Sequence, residues 1–322
     1  MKISVAICTY NGELYVEEQL MSICNQSRRP DEIIIFDDAS TDNTVKIIKR
    51  ILSSKNIEYT IVENEKNMGV TKNFENAIKK CTGDIIFTSD QDDVWYIDKV
   101  KIIERIFKEN KKCNLVFTNA SLVDSELKEF KIDLWKSVGF KPSIENKYII
   151  DILLNRCVVT GATMAIRNCK LEKLFPIPNG WLHDGWLAII YAMNNRVLYL
   201  DKKLILYRQH SNNVVGAKNI NLIGKIKSYF NNIKKIKKVR SDRLKRYKSV
   251  YNYSQFYRNE STDINNKLNR CIYFWEDMNK LNSKNRLKSI HLIIKNIINK
   301  NYNIFYTGVK GAIRDVISLY VS

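Results

Sequence analysis

Short segments built on an unbroken apolar run most constrain how this chain can fold. Residues 3–8 (ISVAIC), 32–36 (EIIIF) and 84–89 (DIIFTS) are too short for core helices and lack the alternation of a strand with one wet face. A strand apolar on both sides must be covered on both sides, which is the condition of a parallel sheet sandwiched between helices. The intervening residues 13–26, 42–54, 71–81 and 96–110 carry apolar residues at helical spacing. With further strands at 57–64 and 114–120, the order is a βα alternation. It predicts an α/β architecture with a mainly parallel central sheet.

Past residue 121 the pattern loosens. Residues 149–157 read as helix, 158–167 as a strand, 181–195 as a loop entering a helix, and 196–210 as two short strands. From about 217 the chain is rich in Ile, Lys, Asn and Tyr, with helical periodicity and a Lys/Arg face. The net charge of +19 is concentrated there: Ser211 onward holds 23 Lys and Arg against 6 Asp and Glu, whereas the preceding residues hold 30 against 28. The reading is therefore a nearly neutral body at 1–216, divided at 120 into two halves, and a basic helical region at 217–322. No apolar run approaches the roughly 18 to 20 residues of a membrane span, and the N-terminus reads as a strand, not a signal peptide. The expectation is a cytoplasmic protein. Seven scattered cysteines without CxxC spacing point to thiols, not a disulfide framework.

In open α/β sheets ligands bind beyond the carboxyl ends of the strands, and the polar residues gather there. The first strand runs into Thr9-Tyr10-Asn11-Gly12, the second into Asp37-Asp38-Ala39-Ser40, and 84–89 into Asp90-Gln91-Asp92-Asp93. Neither GxGxxG nor GxxxxGK[ST] is present, so dinucleotide and P-loop sites are unsupported. What remains is an acid-lined cleft. Asp90 and Asp92, two apart in a turn, suit one hard cation, Mg²⁺ or Mn²⁺, bridging to phosphates. For Asp92 the metal role outweighs a turn cap, for Asp90 the two are balanced, and Asp93 reads as a helix cap.

The sequences SVAICTYNG, DDAS and SDQDD, in this order and spacing, resemble the family 2 inverting glycosyltransferases of the GT-A fold over about residues 1–215. The resemblance implies a nucleotide-diphospho-sugar donor held by the first half. Asp38 would contact the base; Thr9, Tyr10 and Asn11, followed by Glu13, would surround the nucleoside. Asp37 would position the loop. The segment NMGVTKNFENA implies a turn at Gly69, with Lys72 and Asn73 near the nucleotide. Competing structural roles are helix caps for Thr9 and Asn11 and a helix surface for Asn73.

In the second half, LHDGWLA resembles the family's catalytic-base segment, which makes Asp184 the base that takes the acceptor hydroxyl's proton; its structural alternative is a helix N-cap. His183 would orient the loop. In YRQHSNNVVG, His210 would complete the metal sphere or bind the diphosphate, and Arg208 would pair with phosphate. The motifs SDQDDVW, HDGWLA and YRQHSNNVVG together look most like bacterial rhamnosyltransferases. That implies dTDP-L-rhamnose as donor and a cell-surface polysaccharide, such as capsule, or its lipid-linked precursor as product. Gly185-Trp186 departs from the aromatic pair that many relatives carry there.

The basic region reads in two ways. One is docking on an anionic membrane surface, with Tyr229, Tyr247, Tyr251, Tyr253, Phe256 and Tyr257 at headgroup level. The other is a packed accessory domain or homo-oligomer surface. No nucleic-acid motif accompanies the charge. Alternatives for the whole chain are a UDP-sugar donor, a non-catalytic scaffold on a decayed transferase domain, or a metal-dependent phosphohydrolase or nucleotidyltransferase.

Overall fold

The computed structural model describes residues 1–142, 145, 148–169, 171–210, 233–256 and 262–321. The chain forms two compact units: Met1–Ile149 with Val158–Ile177 and Trp181–Ala217, and Ile150–Cys157 with Pro178–Gly180 and Lys218–Ser322.

The first unit opens with β1 (Ile3–Thr9), α1 (Val16–Cys24), β2 (Glu32–Asp37), α2 (Thr44–Leu52), β3 (Glu58–Glu63), α3 (Val70–Lys80) and β4 (Ile85–Ser89). β1, β2 and β4 are buried at every residue, as strands covered on both faces must be. β1 lies between β2 and β4, and β3 lies outside β2, all parallel. The carboxyl ends of β1, β2 and β4 therefore share one edge.

The unit continues with β5 (Val94–Trp95), α4 (Lys99–Glu109), β6 (Leu115–Val123), β7 (Glu129–Asp133) and α5 (Leu134–Ser137). α6 (Ile149–Leu153) begins at its boundary, and β8 (Met164–Arg167), α7 (His183–Ala192) and β9 (Val197–Arg208) follow. The sheet order among described residues is β3-β2-β1-β4-β8-β6-β9-β5, with β7 on β6. β8 runs antiparallel to β4 and β6, while β9 is parallel to β6. The sheet is thus mixed, mostly parallel and flanked by helices, the GT-A arrangement.

Three sequence expectations need correction here. Residues 196–210 form one strand, not two, because the polar Asp201-Lys202 pair is a bulge: the register passes from Thr118↔Leu200 to Asn119↔Lys203. Residues 158–167 are not all strand, since Gly161–Thr163 is a 3₁₀ turn leading into β8. Asp93 is no helix cap, because the tiny β5 intervenes and α4 is capped at Asp98.

The second unit is helical: α8 (Ile233–Phe256), α9 (Thr262–Asn279), α10 (Arg286–Ile298), α11 (Asn301–Phe305) and α12 (Val309–Val321). Its core includes Phe274, Trp275, Met278, Tyr302 and Phe305. A buried Arg240–Asp315 pair at 2.9 Å is completed by Tyr302, whose hydroxyl donates to Asp315 at 2.9 Å. Tyr247, expected at a headgroup boundary, is instead buried and donates to the Leu154 carbonyl at 2.8 Å. Tyr229, Tyr257 and the Ser211–Gly216 part of the late motif lie outside the described residues, as does the side chain of Phe256. None of the seven cysteines is in a disulfide.

Candidate active site

The edge formed by β1, β2 and β4 carries three interlocked loops. Thr9 caps no helix; its hydroxyl donates to Asp37 at 2.7 Å, and Asp37 also accepts from the Ser40 amide and hydroxyl. Asp37 is thus the buried joint of the β1 and β2 loops. Asn11 sits at φ 47°, and its side-chain oxygen accepts from the Thr41 amide at 2.8 Å. Glu13 accepts from the backbone and side chain of Asn43. Tyr10 is clipped through its backbone by Gln91, which accepts from its N–H at 2.8 Å and donates to its carbonyl at 3.0 Å. Tyr10 itself remains 48% exposed.

Asp38 is buried and organises the next loop, accepting from Asn64 Nδ2, the Met68 amide and the Gly69 amide at 2.9, 2.7 and 2.9 Å. Gly69, at φ +83°, occupies the left-handed region that glycine tolerates without strain. Asn73 is not a helix-surface residue. It is buried, donating to the Phe36 carbonyl at 2.8 Å and accepting from Asn64 at 2.9 Å. Lys72 pairs with Glu75 at 2.8 Å.

Beyond β4 the acids separate by environment. Asp90 is half-buried, and burial together with the charges of Asp92 and Asp184 pushes its pKa up to about 7, against the pull of Lys99. Asp93 is fully buried. Its Oδ1 accepts from the Arg208 amide at 3.0 Å, its Oδ2 has no partner, and burial and its acidic neighbours raise its pKa well above the carboxylate range. Asp92 meets His210 Nε2 at 2.8 Å. His210 stacks on Tyr15 with ring centroids 5.0 Å apart.

Arg208 has an employment that its sequence reading did not anticipate. Its guanidinium is buried over the Tyr15 ring, donating to the Asp92 carbonyl at 2.7 Å, to Glu18 at 2.5 Å and to the Ser125 carbonyl. These bonds tie the end of β9 to α1 and to the acidic loop. They make an internal clamp, a role that the sequence reading of Arg208 did not include.

Asp184 lies in the first turn of α7, whose cap is Leu182. Its Oδ2 accepts from the Gly161 amide at 3.1 Å and its Oδ1 from the Gly185 amide at 2.6 Å. His183 is buried against Phe74, centroids 3.9 Å apart, with neither ring nitrogen hydrogen-bonded and its pKa lowered by burial. A Cβ on Gly161 would meet His183 Nε2 at 2.5 Å, so only glycine lets the 3₁₀ turn approach α7 this closely.

Sequence reasoning missed Lys99. It is fully buried, its Nζ donating to the Ala162 carbonyl at 2.7 Å and lying 3.9 Å from the Trp95 ring centroid. Burial lowers its pKa to about 7 in spite of Asp93 and Asp90. The available signal was a lysine opening a helix, where the dipole disfavours a cation, just after an acidic cluster. Gln91, inside the acidic motif, and Tyr207 were also missed; the charges of Asp90, Asp93, Asp92 and Asp184 all act on the Tyr207 phenol, whose pKa is raised chiefly by burial.

Among the described residues no three His, Cys, Asp or Glu side chains form a metal cage. Mg²⁺ and Mn²⁺ do not require one when phosphate and water oxygens complete the shell. The donors Asp92, Asp90 and His210 suit such a cation, and the mutual repulsion that raises Asp90 is what a cation would relieve.

A family model described as "Glycosyl transferase family 2" matches residues 4–175. The chain is 36% identical over 234 residues to the dTDP-rhamnosyl transferase RfbG of Shigella flexneri, covering 69% of this chain and 77% of that protein. Among solved structures, S. aureus TarS 1-349 in complex with UDP-GlcNAc superposes with a TM-score of 0.58 at 17% identity, over 100% of this chain and 90% of that one. The mannosyltransferase PcManGT of Pyrobaculum calidifontis, in complex with GDP-Man and Mn²⁺, gives 0.50 at 15% identity, over 92% and 74%.

Proposed function

Because the chain belongs to glycosyl transferase family 2, we propose that it is an inverting transferase moving L-rhamnose from dTDP-L-rhamnose to a glycan or lipid-linked glycan. The product would be a bacterial cell-surface polysaccharide or its precursor. The rhamnosyl donor rests on the similarity to the Shigella protein. In this reading residues 1–120 hold the donor and 121–216 the acceptor, Tyr10 faces the nucleoside, and Thr9, Asn11, Glu13, Asp38, Lys72 and Asn73 shape its loops.

The observation that carries the reading is the fixed orientation of Asp184, gripped by two backbone amides, within the same electrostatic neighbourhood as Asp90. A sugar hydroxyl is a poor nucleophile unless a carboxylate takes its proton as the new C–O bond forms. Asp184 is held for that task. The acceptor oxygen attacks the anomeric carbon from one side as the bond to the diphosphate breaks on the other, which inverts the centre. Asp92, Asp90 and His210 would hold a divalent cation, which supplies charge neutralisation for the leaving diphosphate. Asp93 and Lys99 back this station from the interior.

No described helix is long and apolar enough to cross a membrane. We place the protein in the cytoplasm, working at the inner membrane surface through its basic C-terminal region. A panel of dTDP- and UDP-sugars, with Mn²⁺, Mg²⁺ or chelator, tests the donor and the metal together. Turnover of dTDP-L-rhamnose that is lost in Asp92→Ala and Asp184→Asn supports the assignment. Full transfer by Asp184→Asn would sink the base, and preferential turnover of a UDP-sugar would replace the donor.

A further inference from the structure

Soluble proteins scatter single apolar side chains over their surface, but clusters on adjoining elements mark something that covers them. The helical unit has such a cluster. On α10, Leu287, Ile294 and Ile298 are 85%, 49% and 73% exposed, and their spacing of seven and four residues puts them on one face. The opposite face of α10 is the buried one, carrying Ser289, Ile293 and Asn296. On α12, Val309, Ile313 and Tyr320 are 69%, 53% and 58% exposed and share one face at spacings of four and seven. The helices adjoin: Arg286, opening α10, donates to the Leu319 carbonyl at 3.2 Å and lies over the Tyr320 ring at 4.8 Å.

The charge carried along these helices is almost all of one sign. From Lys284 to the C-terminus there are seven Lys and Arg and one acid, Asp315. That acid is buried and already paired with Arg240, so it offers nothing to the surface. Lys284, Lys288, Lys300 and Lys310 are exposed. A second copy docking face to face would press these cations against their own kind. An anionic bilayer supplies what both features ask for, an apolar layer beneath negative headgroups.

We propose that the paired α10 and α12 stripes form a membrane-docking face, the apolar side chains entering the headgroup boundary and the lysines resting on anionic lipid. The tyrosine-bearing α8, by contrast, has Tyr247 turned into the core. This deepens the membrane-surface part of the proposed function and rests on it.

Flotation of the full-length protein with vesicles tests it, using phosphatidylcholine alone and phosphatidylcholine doped with phosphatidylglycerol. The expected result is flotation with the anionic vesicles only, weakened by salt. The bound fraction should fall at least about tenfold in Leu287→Ser/Ile294→Ser/Ile298→Ser and in Lys284→Gln/Lys288→Gln/Lys310→Gln. Circular dichroism and donor turnover with a soluble acceptor monitor folding and catalysis in the same samples. Wild type that ignores the anionic vesicles, or a triple-serine variant that floats like wild type, overturns the proposal. So does a wild-type dimer that the triple-serine variant splits, which would make the face a self-association surface. In any of these cases, retained donor turnover leaves the transferase reading standing.

Discussion

Replacing Gly161 with alanine should damage both stability and catalysis, by amounts that follow from the geometry. The added Cβ would stand 2.5 Å from His183 Nε2 and 3.0 Å from its Cε1. Ordinary contact is about 3.5 to 4 Å, so something must move by about 1 Å. The His183 ring has little room, being buried and stacked on the equally buried Phe74, so the 3₁₀ turn must shift. Overpacking of this kind costs about 1–3 kcal/mol. At about 2–4 °C per kcal/mol for a unit of this size, the melting temperature should drop by about 2–12 °C. The same displacement stretches the 3.1 Å bond from the Gly161 amide to Asp184 beyond hydrogen-bonding range. A bond to a charged acceptor contributes about 1.5–3 kcal/mol, so kcat should fall by about 10- to 100-fold. KM for the donor should hold, since Asp92, His210 and the β1 and β2 loops are untouched. Differential scanning fluorimetry and steady-state kinetics read the two effects. In Gly161→Ala/His183→Ala the clash is gone, so the double variant should be more stable than the sum of the single losses implies. Wild-type melting and turnover in Gly161→Ala, or strictly additive losses, would refute the reasoning.

Lys99→Met leaves the buried Ala162 carbonyl without its donor; a loss of about 1–3 kcal/mol is expected in denaturant melts. Asp90 holds a proton in the folded protein up to about pH 7 that the unfolded chain releases near pH 4. Its contribution is therefore fully present below about pH 4 and lost as pH rises to about 7. Without divalent cations, the melting temperature of Asp90→Asn relative to wild type should climb across that window, and a flat difference would contradict the shift. Arg208→Lys keeps the charge but loses the fork over Tyr15 and should lower stability by about 1–3 kcal/mol. Unchanged stability with a raised donor KM would restore the phosphate role.

The parallel half of the sheet was legible because β1, β2 and β4 carry unbroken apolar runs that need cover on both faces, a pattern that few other environments tolerate. The later half was less so. The polar Asp201-Lys202 pair looks like a turn, and only pairing with β6 turns it into a bulge. The loop acids announced themselves by their position after strands, yet their separate employments depend on partners far away in sequence. Asp93 bonds Arg208 across 115 residues, and Lys99 reaches Ala162 across 63. Arg208 shows the limit most clearly: an arginine near a diphosphate site suggests an open hook, and nothing in YRQH reveals that Glu18 and Tyr15 have already claimed it.

The clamp at Arg208 also bears on how the protein is made. Glu18 emerges from the ribosome early and Asp92 midway, but the Arg208 and His210 that join them come 190 and 118 residues later. A nascent chain halted anywhere before residue 208 has the parallel strands but an acidic loop with neither its clamp nor its histidine. Such truncated chains should fold their parallel strands with the acidic loop still unclamped. The loop can take its final form only in chains whose synthesis has passed the last strand.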